Sequence, residues 1–249
     1  FKDATNFDKF STAANRIFTN PTLPPEKVKT TEVSILWDNS NTSDGLKIFA
    51  EISAFNSNFS GAIQSVETNI DGVVGNQNQD VGELDIMGGQ IRSNFVFNSN
   101  LSFELNYTYT DPKLKQFDSS TGALGDAVRI GDISTHKGNL ILDWKFKKFK
   151  NDKGFHCNWN NRLNISDVRP TGSETSVSSN PFNNIDGFAI LNSYFSYQSK
   201  SGLLFGIGVD NVFDQEWFVP GARSASGIFA SRVPQQNRNY FFRIGYDLR

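Results

Sequence analysis

From Gly202 onward the chain alternates residue by residue. Leu203, Phe205, Ile207 and Val209 stand against Leu204, Gly206, Gly208 and Asp210. After a polar, Gly-rich excursion from Asp214 to about Arg238, Tyr240, Phe242, Ile244, Tyr246 and Leu248 stand against Phe241, Arg243, Gly245 and Asp247. Period-two alternation gives a strand one apolar and one wetter face. The sequence stops inside that pattern. In a soluble protein such an end leaves an aromatic-rich edge open to other chains, whereas a barrel closed on its last strand has no such edge.

The same rhythm runs upstream. Thr31, Val33, Ile35 and Trp37 oppose Glu32 and Ser34; after a turn cluster at Asp38 to Gly45, Leu46, Ile48, Ala50, Ile52 and Ala54 oppose Lys47, Glu51 and Ser53. Met87, Ile91, Phe95 and Phe97 oppose Gln90, Arg92 and Asn94, with a short turn at Asn98 to Asn100. Leu101, Phe103, Leu105, Tyr107 and Tyr109 then alternate cleanly with Ser102, Glu104, Asn106, Thr108 and Thr110. Leu140, Leu142, Trp144 and Phe146 lead through a basic turn at Lys148 to Gly154 to Phe155, Cys157, Trp159, Leu163 and Ile165. Leu191, Phe195 and Tyr197 reach the last pair through the turn Ser199 to Gly202. Phe1 to Lys27, Gln64 to Asp80, Asp111 to Lys137 and Ser166 to Gly187 read as long irregular excursions, and no stretch reads as a helix.

This predicts an all-β fold of about nine antiparallel strands joined by alternately short and long connections. That is the rhythm of an up-and-down transmembrane β-barrel, with short turns on one side of the membrane and long loops outside. Strands of roughly ten residues suit a tilted crossing of the hydrocarbon layer, and Trp and Tyr near strand ends suit interfacial girdles. One face carries Leu, Ile, Phe and Trp almost without charge; the other carries Glu, Arg, Lys, Asn and Asp. The alternative is a soluble β-sandwich with a binding role, against which loops of about 20 residues gathered at one end count.

Composition fits the barrel without requiring it. The mean hydropathy is -0.41 and no run of about 18 apolar residues exists to make a membrane helix. Strands that face lipid on one side only escape that test. A formal net charge of -2 without a Lys/Arg block argues against a nucleic-acid partner. Cys157 is the single cysteine, so the chain has no internal disulfide. It falls in the apolar register and is expected to face lipid. FKDATNFDKF has neither a basic nor an apolar signal region, so for an exported protein the true start is expected upstream.

Four segments resemble elements of the TonB-dependent outer-membrane receptors: NPTLPPEKVKTTEVSI, DVGELDIMGGQIRSNFVFNSNLSFELNYTYTDP, ISTHKGNLIL and VDNVFDQEW. Their order and spacing agree with the family from about Asn20 to Arg249. The resemblance implies a barrel of about 22 strands with an N-terminal plug. Residues 1–249 are then the C-terminal part of that barrel, with 1–27 an extracellular loop, 28–249 strands and loops, and the plug and earlier strands elsewhere. It also implies a Gly-x-x-apolar-x-aromatic terminus, which Gly245, Leu248 and Arg249 fit if an aromatic residue follows. The implied function is active uptake of a scarce nutrient, siderophore-bound iron or a similar large ligand, across the outer membrane of a Gram-negative cell. Implied partners are membrane lipid, lipopolysaccharide, the plug and remaining strands, and the TonB–ExbB–ExbD energising complex. A passive porin-type channel is the alternative within the same fold class.

No enzyme constellation emerges, and no cofactor is implied. His136 and His156 lack Cys or carboxylate neighbours at ligand spacing, so no metal site is expected. Glycines in GIG and MGG lie in strands, where they ease bending. In the last long loop Trp217, Phe218, Arg223, Phe229 and Arg232 combine aromatic and cationic groups, which suits an anionic or aromatic ligand; the alternative is loop packing or lipopolysaccharide contact. Glu51, Arg92, Glu104, Arg162 and Arg243 are lumen candidates, the alternative being a polar lining that holds the plug.

Overall fold

The computed structural model describes residues 5–10, 17–39, 41, 45–117, 123–131, 133–146, 156–170, 184–199, 201–221 and 232–247. Nine strands form one antiparallel meander: β1 Lys27–Asp38, β2 Lys47–Ser60, β3 Gly82–Asn98, β4 Leu101–Phe117, β5 His136–Phe146, β6 His156–Ser166, β7 Phe188–Gln198, β8 Leu203–Asp210 and β9 Asn239–Tyr246. Along this path each pairs with its neighbours in sequence, a tenth strand, Leu124–Arg129, pairs with the end of β4, and β1 and β9 have one neighbour each among the described residues, so the sheet is open. A meander puts every second connection at the same end, which gathers the four long ones together. Among the described residues no helix is long and apolar enough to cross a membrane.

The register gives each face its composition. Across β4 to β9 one row runs Leu101, Trp144, Trp159, Phe195, Ile207 and Phe242, and the row above it begins Phe103, Leu142. The opposite face carries rows such as Glu51, Arg92, Asn106, Asn139 and Asn164. Leu101 to Tyr109 and Ser102 to Thr108 thus fall on opposite faces, as the alternation predicts. Among the described residues the sheet is a single layer with no second sheet against either face; a sandwich would bury one face against a second sheet. Large apolar side chains stay exposed, most of all on the edges, where Ile35 is 72%, Phe242 75% and Ile244 75% exposed.

Neither face is pure. Asn161 and Ser193 sit in the apolar row of Phe103 and Leu142 and are joined in a short chain: Trp159 Nε1 donates to Ser193 Oγ (2.9 Å), which donates to Asn161 Oδ1 (2.8 Å), while the buried Asn161 Nδ2 has no hydrogen-bond partner among the described residues. The polar face carries Phe49, Phe55 and Phe59 on β2 and the buried Pro112 and Leu114 on β4. Tyr194 lies over Gly206 and Phe241 over Gly208, and the two rings stack at 5.8 Å. The strand glycines there make room for rings from neighbouring strands.

Two turns show their chemistry. Asn98 Oδ1 accepts from the amides of Asn100 (2.8 Å) and Leu101 (3.0 Å), closing the β3–β4 hairpin. Gly202, between β7 and β8, has φ +88°, and a Cβ there would run into the Asp247 carbonyl.

The long excursions are more ordered than expected. β3 and β4 are 17 residues each, well beyond a membrane crossing of about 10. β4 continues into the segment read as irregular, where Leu124–Arg129 pairs with its outer end. The segment 64–80 folds as a hairpin, Ile63–Ile70 with Val73–Asp80, on a turn with positive φ at Asp71 and Gly72. Ile17–Phe18 joins it in parallel, and Gln77 Nε2 and Asn20 Nδ2 tie the two loops together. A short helix, Asn6–Phe10, stands where none is expected; Thr5 Oγ1 accepts from the Asp8 amide and Asp8 Oδ2 from the Thr5 amide, a capping box. The basic turn at Lys148 to Gly154, Phe155, and the terminal Leu248 and Arg249 lie outside the described residues.

Candidate functional site

The last long connection begins with a built turn. Asn211 is 2% exposed with φ 52°. Its side chain donates to the Gln215 carbonyl (2.8 Å) and accepts from the Gln215 amide (2.9 Å), while its own amide donates to Asn192 Oδ1 (2.9 Å). A side chain carrying both a donor and an acceptor is needed to make both bonds, and Asn tolerates the left-handed backbone. Gln215 in turn accepts from the Ala189 amide, fixing the loop base to β7. Asp214, also at positive φ, accepts from the Arg238 amide and pairs with its guanidinium at 3.8 Å. Tyr240 beside Arg238, with Asp214 a lesser influence, holds the guanidinium pKa above its ordinary value.

This turn aims the next residues at one another. Phe218–Pro220 pairs with Arg232–Pro234. The Arg232 guanidinium lies 4.0 Å from the centre of the Phe218 ring. Trp217 packs on Phe188 at 4.6 Å, and its indole donates to the Gln236 carbonyl. Of the five loop candidates, Phe218 and Arg232 meet each other, and Trp217, next to Phe218 in the chain, packs on Phe188. Arg223 and Phe229 lie outside the described residues. Phe188 meets Trp217 from the first position of β7, a contact that depends on the long-range path of the loop.

The other five candidates stand on one face. Glu51 faces Arg92 directly across β2 and β3, and the Arg92 guanidinium lies 5.8 Å from the Phe49 ring. Glu104 Oε1 accepts from Asn106 Nδ2 (2.7 Å), which also reaches Asn139. Arg162 stands across from Asn192 and borders a polar hollow of about 200 Å³ with Asn160, Tyr194, Asp210 and Phe241. Arg243 is in the row of Ser196 and Gly206, beside that hollow. They make a dispersed polar wall, not a single cluster.

No group of three His, Cys, Asp or Glu stands together among the described residues. His136 lies on the apolar face, its Nδ1 2.6 Å from Tyr107 Oη. Cys157 is 7% exposed, in the apolar row of Phe146 and Tyr197 and covered by its neighbours.

A family model described as TonB dependent receptor-like, beta-barrel matches residues 3–212. No curated protein matches the chain. Among solved structures, the copper transporter OprC is similar at a TM-score of 0.64 and 16% identity, over 97% of this chain and 35% of that one. The ferric preacinetobactin receptor BauA from Acinetobacter baumannii gives 0.65 and 15%, over 90% and 30%. A mutant of the ferric enterobactin receptor PfeA from Pseudomonas aeruginosa gives 0.60 and 19%, over 91% and 31%. The chain spans about a third of the length of these structures.

Proposed function

The chain belongs to the TonB-dependent receptor-like β-barrel family, and from that premise we propose that it builds the C-terminal part of an outer-membrane receptor for active uptake. The ligand is a scarce, bulky one, siderophore-bound iron or a similar chelate, and the TonB–ExbB–ExbD complex energises its passage. The observation that carries this reading is the open nine-strand meander with all its long connections at one end. Nine strands cannot enclose a lumen wide enough for a plug; further strands of the receptor complete both edges, and a plug domain fills the interior. The long connections face outward and Glu51, Arg92, Glu104, Arg162 and Arg243 face the lumen. Trp217, Phe218 and Arg232, with Arg223 and Phe229 in the same loop, offer aromatic and cationic contacts suited to an anionic chelate.

Growth tests the reading. An iron-starved strain lacking its own receptors and expressing the whole receptor grows on at least one ferric siderophore, and the growth is lost when TonB is deleted. Growth on that siderophore without TonB would favour a passive channel instead.

A further inference from the structure

On the polar face, just below the foot of the last long connection, β6 to β9 border a hollow of about 200 Å³. The register places its parts. Arg162 on β6 stands across from Asn192 on β7, and one row inward Asn160 stands across from Tyr194, which faces Gly208. Asp210 ends β8, one residue past the pair Ser193 and Val209, and so lies beside Asn192. The rings of Tyr194 and Phe241, stacked at 5.8 Å over Gly206 and Gly208, close one side. Asn160, Asn192, Tyr194 and Asp210 are half-buried, and Arg162 is exposed at the rim.

These polar groups are left for something else to meet. Among the described residues the side chains of Asn160, Arg162, Tyr194 and Asp210 make no hydrogen bond or ion pair, and Asn192 accepts only the Asn211 amide on its Oδ1. Arg162 and Asp210 do not neutralise each other, because Asn192 stands between them. Two strand spacings put their backbones roughly 10 Å apart. The nearest other charges on this face are Asp143, across from Asn160, and Arg243, in the row of Gly206. They are one of each sign, so the local balance is unchanged.

Such a hollow selects by charge. A simple anion is drawn to Arg162 but repelled by Asp210, and a simple cation meets the reverse. A neutral polyol leaves both charges without a counter-charge. We infer that the hollow binds an α-amino acid as its zwitterion. The carboxylate takes the Arg162 guanidinium, whose fork matches two oxygens. The ammonium takes the Asp210 carboxylate, and Nδ2 of Asn160 and of Asn192 donate to the remaining carboxylate lone pairs. The side chain of the ligand lies against Tyr194 and Phe241. The volume is that of roughly six waters, which suits a small amino acid and not a bulky chelate. The site is therefore separate from the loop contacts assigned to the chelate, and it holds whichever ligand those loops take.

The test uses the whole receptor in detergent and isothermal titration calorimetry. Three probes are offered: L-leucine, leucinamide, which lacks the carboxylate, and N-acetyl-L-leucine, which lacks the ammonium. L-Leucine binds, and each derivative binds about tenfold more weakly. Arg162→Gln weakens L-leucine by about tenfold and abolishes its advantage over leucinamide. Asp210→Asn does the same for its advantage over N-acetyl-L-leucine. No binding of L-leucine, or equal binding of the three probes by the parent, overturns the inference. So does a variant that keeps the preference of the parent. Heat-modifiable gel mobility shows whether each variant is folded, and if one is not, the three probes on the parent decide alone. A receptor that binds L-leucine in this pattern but fails the growth test sinks the uptake reading and leaves this site standing.

Discussion

The Arg232 guanidinium sits over the Phe218 ring, 4.0 Å from its centre, across a short pair of loop strands. The contact positions a permanent cation beside an aromatic surface at the entrance we assign to the ligand. An exposed contact of this kind contributes about 0.5–1 kcal/mol. Arg232→Ala and Phe218→Ala are each expected to weaken chelate binding about two- to fivefold. The double variant should lose less than the sum, because either change already breaks the pair. Titration of the purified receptor with a ferric siderophore that passes the growth test checks this; fully additive losses would mean the two groups act separately.

The facing of β4 makes a sharper claim. Leu105 stands in the apolar row with Leu140 and Leu163, and Glu104 points the other way beside Asn106. Leu105→Lys should cost about 2–4 kcal/mol if it meets the bilayer midplane, and Glu104→Lys much less. Denaturant titration of the receptor refolded into lipid vesicles measures both. Equal costs would mean the faces are assigned wrongly, since a one-residue slip inverts the whole set.

Asn211 anchors the last loop through its two bonds to Gln215 and its positive φ. Asn211→Ala removes both bonds and strains the backbone, at an expected cost of about 2–3 kcal/mol. Asn211→Gly restores the backbone freedom and should cost less. Hydrogen exchange read over 211–217 should rise while exchange in β3 and β4 is unchanged. Unfolding of the whole sheet by Asn211→Ala would contradict so local a role.

The outer end of β3 carries a pH-sensitive tie. Asn58, hydrogen-bonded to Asp85, and Lys115 beside it hold the Asp85 carboxyl below its usual pKa of 3.8. A carboxyl depressed on folding contributes stability that is present above the unfolded value, about 4, and is lost as pH falls through the lower folded value. Asp85→Asn should therefore lower the stability of this end at pH 7 and match the parent at the acid end of the range. Protease nicking of the β3 and β4 outer ends, compared at pH 7 and pH 3, gives the readout. A difference that persists unchanged at pH 3 would rule out the carboxylate as its source.

What the sequence discloses and what it hides follow one physical line. The strands and their phase are legible because one face meets a different medium from the other, which writes a period of two into residues such as Leu101 to Thr110. The hairpin at 63–80 escapes that reading because its Asn- and Gln-rich strands lack the pattern, although Asp71–Gly72 is a hairpin signal in itself. The helix at Asn6–Phe10 has a capping box at Thr5 and Asp8 but is too short to show a periodic face. Asn161 on the apolar face is explained only by Ser193, 32 residues away in the chain. At the candidate site, the residue types of Trp217, Phe218 and Arg232 are visible in sequence. The meeting of Phe218 with Arg232, and that of Trp217 with Phe188, depend on the Asn211 turn and on the path of the loop.

The central claim is energised uptake by a barrel of which these strands are part. Its most direct measurement is accumulation of a radiolabelled ferric chelate by cells whose only outer-membrane receptor is this one, before and after the protonmotive force is collapsed. Accumulation against the gradient that stops on collapse, with chelate binding retained at the surface, is the predicted result. Accumulation that continues after collapse, only to equilibrium with the medium, would contradict it and identify a passive channel.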